Sequence, residues 1–114
     1  MLTIDSLRQF GANIDEGLGR CMNNEAFYLR MVNMVLDDKG YEKLSSAIRS
    51  GDKKAAFEAA HALKGSLGNL ALSPIYIPVS QLTELLRTGQ DTDYTALLDQ
   101  ILKQREALLA IRAS

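Results

Sequence analysis

Apolar residues recur at steps of three and four through every long segment of this 114-residue chain, and no stretch alternates apolar and polar residues long enough to make a strand. A chain patterned this way folds as helices, each with one apolar stripe that has to be buried against another helix. The expected class is therefore all-α. A short piece around Ile4 to Phe10 comes first, and Asn13 then caps a brief turn reaching Leu18, weakened by Gly17 and Gly19. Asn24 and Glu25 open a firmer helix whose stripe of Tyr28, Met31, Val32, Val35 and Leu36 runs to Asp37-Asp38-Lys39-Gly40. Tyr41, Leu44 and Ile48 mark the next, ending at Ser50-Gly51, and Asp52 offers a cap for Lys53 to Leu70. Ser73-Pro74 reads as a capping hydroxyl followed by proline at the first helical position, with Ile75, Val79, Leu82 and Leu86 behind it. Pro78 predicts a bend or an irregular first turn, and Thr88-Gly89 closes the segment. Tyr94, Leu97, Leu98, Ile101, Leu102, Leu108 and Leu109 form the apolar side of the last helix.

Connections this short make neighbouring helices antiparallel, which predicts an up-down four-helix bundle with short extra N-terminal helices, one domain spanning residues 1–114. With 46% hydrophobic and 24% charged residues and a formal net charge of -1, no nucleic-acid partner is expected. Cys21 is the only cysteine, so no internal disulfide forms and a reducing cytoplasm is the expected location. Neither a signal peptide nor an apolar run of membrane-spanning length is legible, and a monomer without membrane attachment is expected.

The single histidine, His61, lies inside the segment opened by Asp52. Winding Asp52 to Leu72 at about 100° per residue puts Ala56, Ala59, Leu63 and Leu70 within about 40° of the side opposite His61, with Leu67 at the margin. Phe57, Lys64, Gly65 and Gly68 fall within about 60° of His61, so the imidazole is predicted to face outward. Gly65 and Gly68 each cost a helix roughly 1 kcal/mol relative to alanine, a cost that a solvated face does not repay. Their placement away from the predicted core favours docking of another protein over tight helix packing. Lys64, one turn from His61, is apt for neutralising a phosphoryl group on the ring, which adds about two negative charges. Phe57, one turn before His61, either lends apolar area to a docking patch or is buried at the bundle margin.

These residues carry a resemblance. Ala60-His61-Ala62-Leu63-Lys64-Gly65-Ser66 resembles the phosphorylation motif of histidine-containing phosphotransfer (HPt) domains, which reads His-x-Leu-Lys-Gly-Ser or Ala. Gly17-Leu18-x-Arg20, Tyr28 and Asp37-Asp38 look like the family's N-terminal pattern, and Leu82-Thr83-Glu84-Leu85-Leu86-Arg87-x-Gly89 looks like its post-motif helix, a coverage of about Ile14 to Leu109. The resemblance implies that His61 accepts the phosphoryl group, that Lys64 is its electrostatic partner, and that Gly65 lets a receiver domain approach. Leu67 stands where the family usually has a small residue and Ala71 where it commonly has glycine, departures that bear on the expected partner surface.

The chain lacks a phosphate-cradling glycine loop, a metal-ligand cluster and a serine or cysteine paired to a base, so no catalytic apparatus and no cofactor or metal are expected. The resemblance implies that chemistry comes from a partner: an aspartyl phosphate on the receiver domain of a response regulator or hybrid sensor kinase, with its bound Mg²⁺, is attacked by neutral imidazole, and the group later passes to another receiver. Two rival readings are a helical module that docks a kinase or receiver without carrying phosphate, and a domain phosphorylated directly by a kinase's ATP-binding domain. Intact His61-x-x-Lys64-Gly65 counts against the first, and the absence of an ATP-binding domain from the chain counts against the second. Metal or haem ligation by His61 ranks last, since no recognisable spacing supplies co-ligands.

Overall fold

Thr3, Asn13, Asn24 and Asp52 each accept a hydrogen bond from the backbone N–H three residues on, satisfying donors that a helix start leaves orphaned. The helices they open, and three more, make up the computed structural model, which describes residues 1–114. In order these are α1 (Ile4–Phe10), α2 (Ile14–Arg20), α3 (Glu25–Leu36), α4 (Gly40–Ser50), α5 (Lys53–Asn69), α6 (Ser73–Thr88) and α7 (Thr95–Ala113), with no strand. Glycines in the left-handed region, Gly51 at φ 77° and Gly89 at φ 68°, end α4 and α6 as their sequence positions predict.

The last four helices form a ring. α5 packs against α4 and α6, α6 against α7, and α7 touches α4. Leu44, Leu63, Leu67, Ile75, Leu82, Leu98 and Ile101 are buried where these stripes meet. The core is continuous with Leu7, Ile14, Tyr28, Val32 and Leu36 from the first three helices. The expected all-α class is therefore observed, as a bundle of helices around one core.

One end of the bundle is built around the last turn of α5, whose carbonyls have no intrahelical donor. Tyr28 Oη donates to the carbonyl of Leu70 at 2.9 Å, the Asn13 N–H donates to Ala71 at 3.0 Å, and an Arg20 guanidinium N–H donates to Gly68. Burial, with Cys21 adding to it, pushes the Tyr28 phenol up to about 12. The contact is tight: a Cβ on Gly17 would lie 2.6 Å from the Tyr28 ring and 2.7 Å from the Leu70 carbonyl oxygen. Ala71 turns the corner into α6 with φ 54°. At the other end of α3, Arg112 makes paired hydrogen bonds to the Asp37 carboxylate, and Arg105 donates twice to the Leu36 carbonyl, tying α7 to the same group.

Three expectations are corrected. Ser73 is not the cap of α6: the helix already includes it, Leu72 precedes it, and no side chain caps this start. The turn is closed instead by the Ile75 and Tyr76 N–H groups, both donating to Leu72. Pro78 lies buried within α6, and the helix continues through it. Leu67 and Ala71 are not surface departures, since Leu67 is fully buried in the core and Ala71 is buried in the α5–α6 corner. Ala71 adopts a left-handed backbone, the region that favours glycine.

Two substitutions test this corner. Gly17→Ala should lower stability by about 1–3 kcal/mol, because backbone and ring both crowd the added methyl. Ala71→Gly should raise it by about 0.5–1 kcal/mol by relieving the left-handed strain. Urea unfolding followed by circular dichroism reads both, and shifts of the opposite sign would contradict the geometry.

Candidate functional site

His61 is exposed on the outer face of α5, as the winding predicts. The buried arc, however, is not diametrically opposite. Ala56, Ala60, Leu63 and Leu67 are its buried members, whereas Ala59, placed on the core side by the winding, is only partly covered. The arc is turned by about 50° from the position opposite His61, because α5 is clasped by α4 and α6 together and its core-facing side lies between them. The turn carries Phe57, Lys64 and Gly68 toward α6, where each is half-buried, and leaves His61 and Gly65 as the exposed ridge.

Gly65 has no atom within 4 Å of where a Cβ would stand, so the surface beside His61 is open. Gly68 differs: the Tyr76 ring from α6 lies 3.0 Å from its Cβ position. The bare face thus belongs to Gly65 alone, and Gly68 provides the tight helix packing that its predicted direction had disfavoured. Phe57 stacks on His61 with ring centroids 5.6 Å apart and planes 15° from parallel. It also packs against the core and borders a shallow hollow with Lys53, Lys54, Leu86 and Arg87.

The charges beside the ridge are already sorted. Arg87 hydrogen-bonds Glu84 through three contacts of 2.6 to 3.1 Å, and this holds the Glu84 carboxyl below the usual carboxylate range, with the Lys64 charge adding to the effect. Arg87 is thereby engaged. Lys64 feels the same carboxylate at longer range without a salt bridge to it, so its ammonium is available to a new anion beside His61.

An exposed histidine, a cation one turn on and an open glycine after it sit in a four-helix ring, and the sequence model of the Hpt domain matches residues 38–112. The chain belongs to the Hpt domain family. Hpt domains are histidine carriers of phosphoryl groups in phosphorelays, phosphocarriers rather than classical enzymes, and they work with receiver domains. No curated protein and no solved structure matches this chain. No helix of this Hpt domain is long and apolar enough to cross a membrane.

Sequence reasoning missed Tyr76 as a neighbour of the ridge and the Phe57–Arg87 proximity. A signal for both existed: each pair is placed symmetrically about Leu72, the register an antiparallel α5–α6 hairpin imposes when it folds at that residue. The two glycines now separate experimentally. Gly65→Ala should raise stability by about 0.5–1 kcal/mol, the ordinary gain in an open helix position, whereas Gly68→Ala should gain nothing because the Tyr76 ring has to shift. Equal gains in thermal unfolding would contradict the difference in packing.

Proposed function

We propose that this Hpt domain carries a phosphoryl group on His61, taking it from the aspartyl phosphate of a receiver domain and passing it to another receiver. The observation that supports this best is the exposed His61–Gly65 ridge, with open space above the glycine and Lys64, free of any salt bridge, one helical turn from His61. The receivers would belong to response regulators or hybrid sensor kinases, in the cytoplasm. The acting unit is the whole of residues 1–114, since α1 to α3 share the core of the segment matched by the family.

In the transfer the in-plane lone pair of an unprotonated imidazole nitrogen attacks phosphorus. The new N–P bond forms as the acyl-phosphate O–P bond breaks, and the partner's carboxylate leaves with that electron pair. The other ring nitrogen keeps its proton until solvent takes it. Lys64 offsets the charge that accumulates on the phosphoryl oxygens, an interaction stronger in the transition state than before it. Gly65 leaves the partner's backbone room to approach in line.

The test is to mix the protein with phosphorylated receiver domains and follow the label. Wild type should acquire acid-labile phosphate and His61→Gln should acquire none, with circular dichroism unchanged. Absence of transfer to the wild type from every receiver tried, or equal labelling of the variant, would overturn the proposal in favour of a docking module that carries no phosphate.

A further inference from the structure

A nucleophilic imidazole has to present one nitrogen edge-on to phosphorus, yet none of the polar side chains around His61 holds its ring by a hydrogen bond. What holds it is Phe57. The two residues are four apart on one helix, and helical side chains lean toward the N-terminus, so the imidazole lies back over the turn that Phe57 occupies. With centroids 5.6 Å apart and planes 15° from parallel, the rings form a displaced stack. Phe57 is itself half-buried, packed on the core and bordered by Leu86 and Arg87 of α6, so it is a wall and not a second mobile ring.

We infer that Phe57 is the positioning residue for His61: it covers one π-face of the imidazole and fixes the ring plane, while leaving the nitrogen edge free. This inference rests on the phosphocarrier reading. The geometry suits the reaction because the lone pair of an sp² ring nitrogen lies in the ring plane. A stack on the face therefore restricts rotation without occluding the atom that forms the N–P bond as the donor's O–P bond breaks. A hydrogen bond to either nitrogen would restrict the ring too, but at the cost of occupying one of the two edges. Lys64, on the turn beyond His61, is left to meet the phosphoryl oxygens. The aromatic ring thus acts on the nucleophile, in contrast to a role as apolar area for the partner.

The chain's single histidine makes the test direct, since its ring protons are unambiguous in a proton NMR spectrum. Wild type, Phe57→Leu and Phe57→Tyr are compared for the ring-current shift of those protons and for single-turnover transfer from a receiver domain loaded by acetyl phosphate. Leucine keeps apolar bulk without a ring, and tyrosine keeps the ring. The shift should be present in wild type and Phe57→Tyr and lost in Phe57→Leu. The transfer rate at saturating receiver should fall roughly three- to tenfold in Phe57→Leu, with the half-saturating concentration unchanged, and be retained in Phe57→Tyr. A raised half-saturating concentration at an unchanged saturating rate would assign Phe57 to docking and overturn the inference, as would equal loss in both variants or a shift indifferent to the ring. Transfer in wild type with no effect of Phe57→Leu defeats this inference alone, whereas no transfer to wild type defeats it together with the reading beneath it.

Discussion

The last turn of α5 ends in carbonyls that a helix cannot satisfy by itself, and the way this chain satisfies them sets how its other helices are placed. Leu70 and Ala71 receive their donors from Tyr28 and Asn13, and Gly68, which already accepts from the Ala71 N–H, gains a second donor in Arg20, three residues on the N-terminal helices and the loop before α2. A buried carbonyl left without a donor costs on the order of 1–3 kcal/mol, so the N-terminal helices are bound to this corner by hydrogen bonding as well as by burial. Gly17 is what lets them come close enough, and the left-handed Ala71 is what turns the chain sharply enough to lay α6 back along α5. With α6 on one flank and α4 on the other, the rotation of α5 about its axis is settled, and with it the direction of His61.

The site is correspondingly economical. Everything beside the imidazole comes from α5 itself or from the flank of α6 that its corner brings near. Phe57 and Lys64 stand one turn to either side of His61, and Phe57 borders the α6 flank on which Glu84 and Arg87 are already paired. Arg87 is held by the Glu84 carboxylate, whereas Lys64, one turn from His61, has no salt bridge. The opposite side of the ridge is bare at Gly65. A ring fixed on one side and open on the other is an arrangement suited to attack by or on a group delivered from outside.

The helices were legible because capping chemistry and periodicity are local. Asn13, Asn24 and Asp52 cap where their side chains predict, and Gly51 and Gly89 end helices where a residue tolerant of positive φ stands. Ser73 was misleading for the same local reason: a hydroxyl before proline is a common cap, but the tight corner through Leu72 supplied the helix start without it. The outward direction of His61 was legible from an ideal winding, since an error of some tens of degrees leaves an exposed residue exposed. The same error is decisive at the flanks. It moved Gly68 from open surface to the underside of Tyr76 and exchanged Ala59 for Ala60 in the core.

By itself, then, the sequence determined most of the helix boundaries, the all-α class, and a histidine motif whose residue types and spacing carry the family. These depend on hydrogen bonds within one turn and on which residues share a helix face, both of which a linear order of residues specifies. Only the tertiary structure decided that Gly65 is open and Gly68 closed, that Leu67 and Ala71 lie inside, and that Phe57 rests against the imidazole while Arg87 is held by Glu84. Those outcomes depend on the rotation and register of α5 against α4 and α6. Packing of whole helices chooses these, and no single residue's preference encodes them.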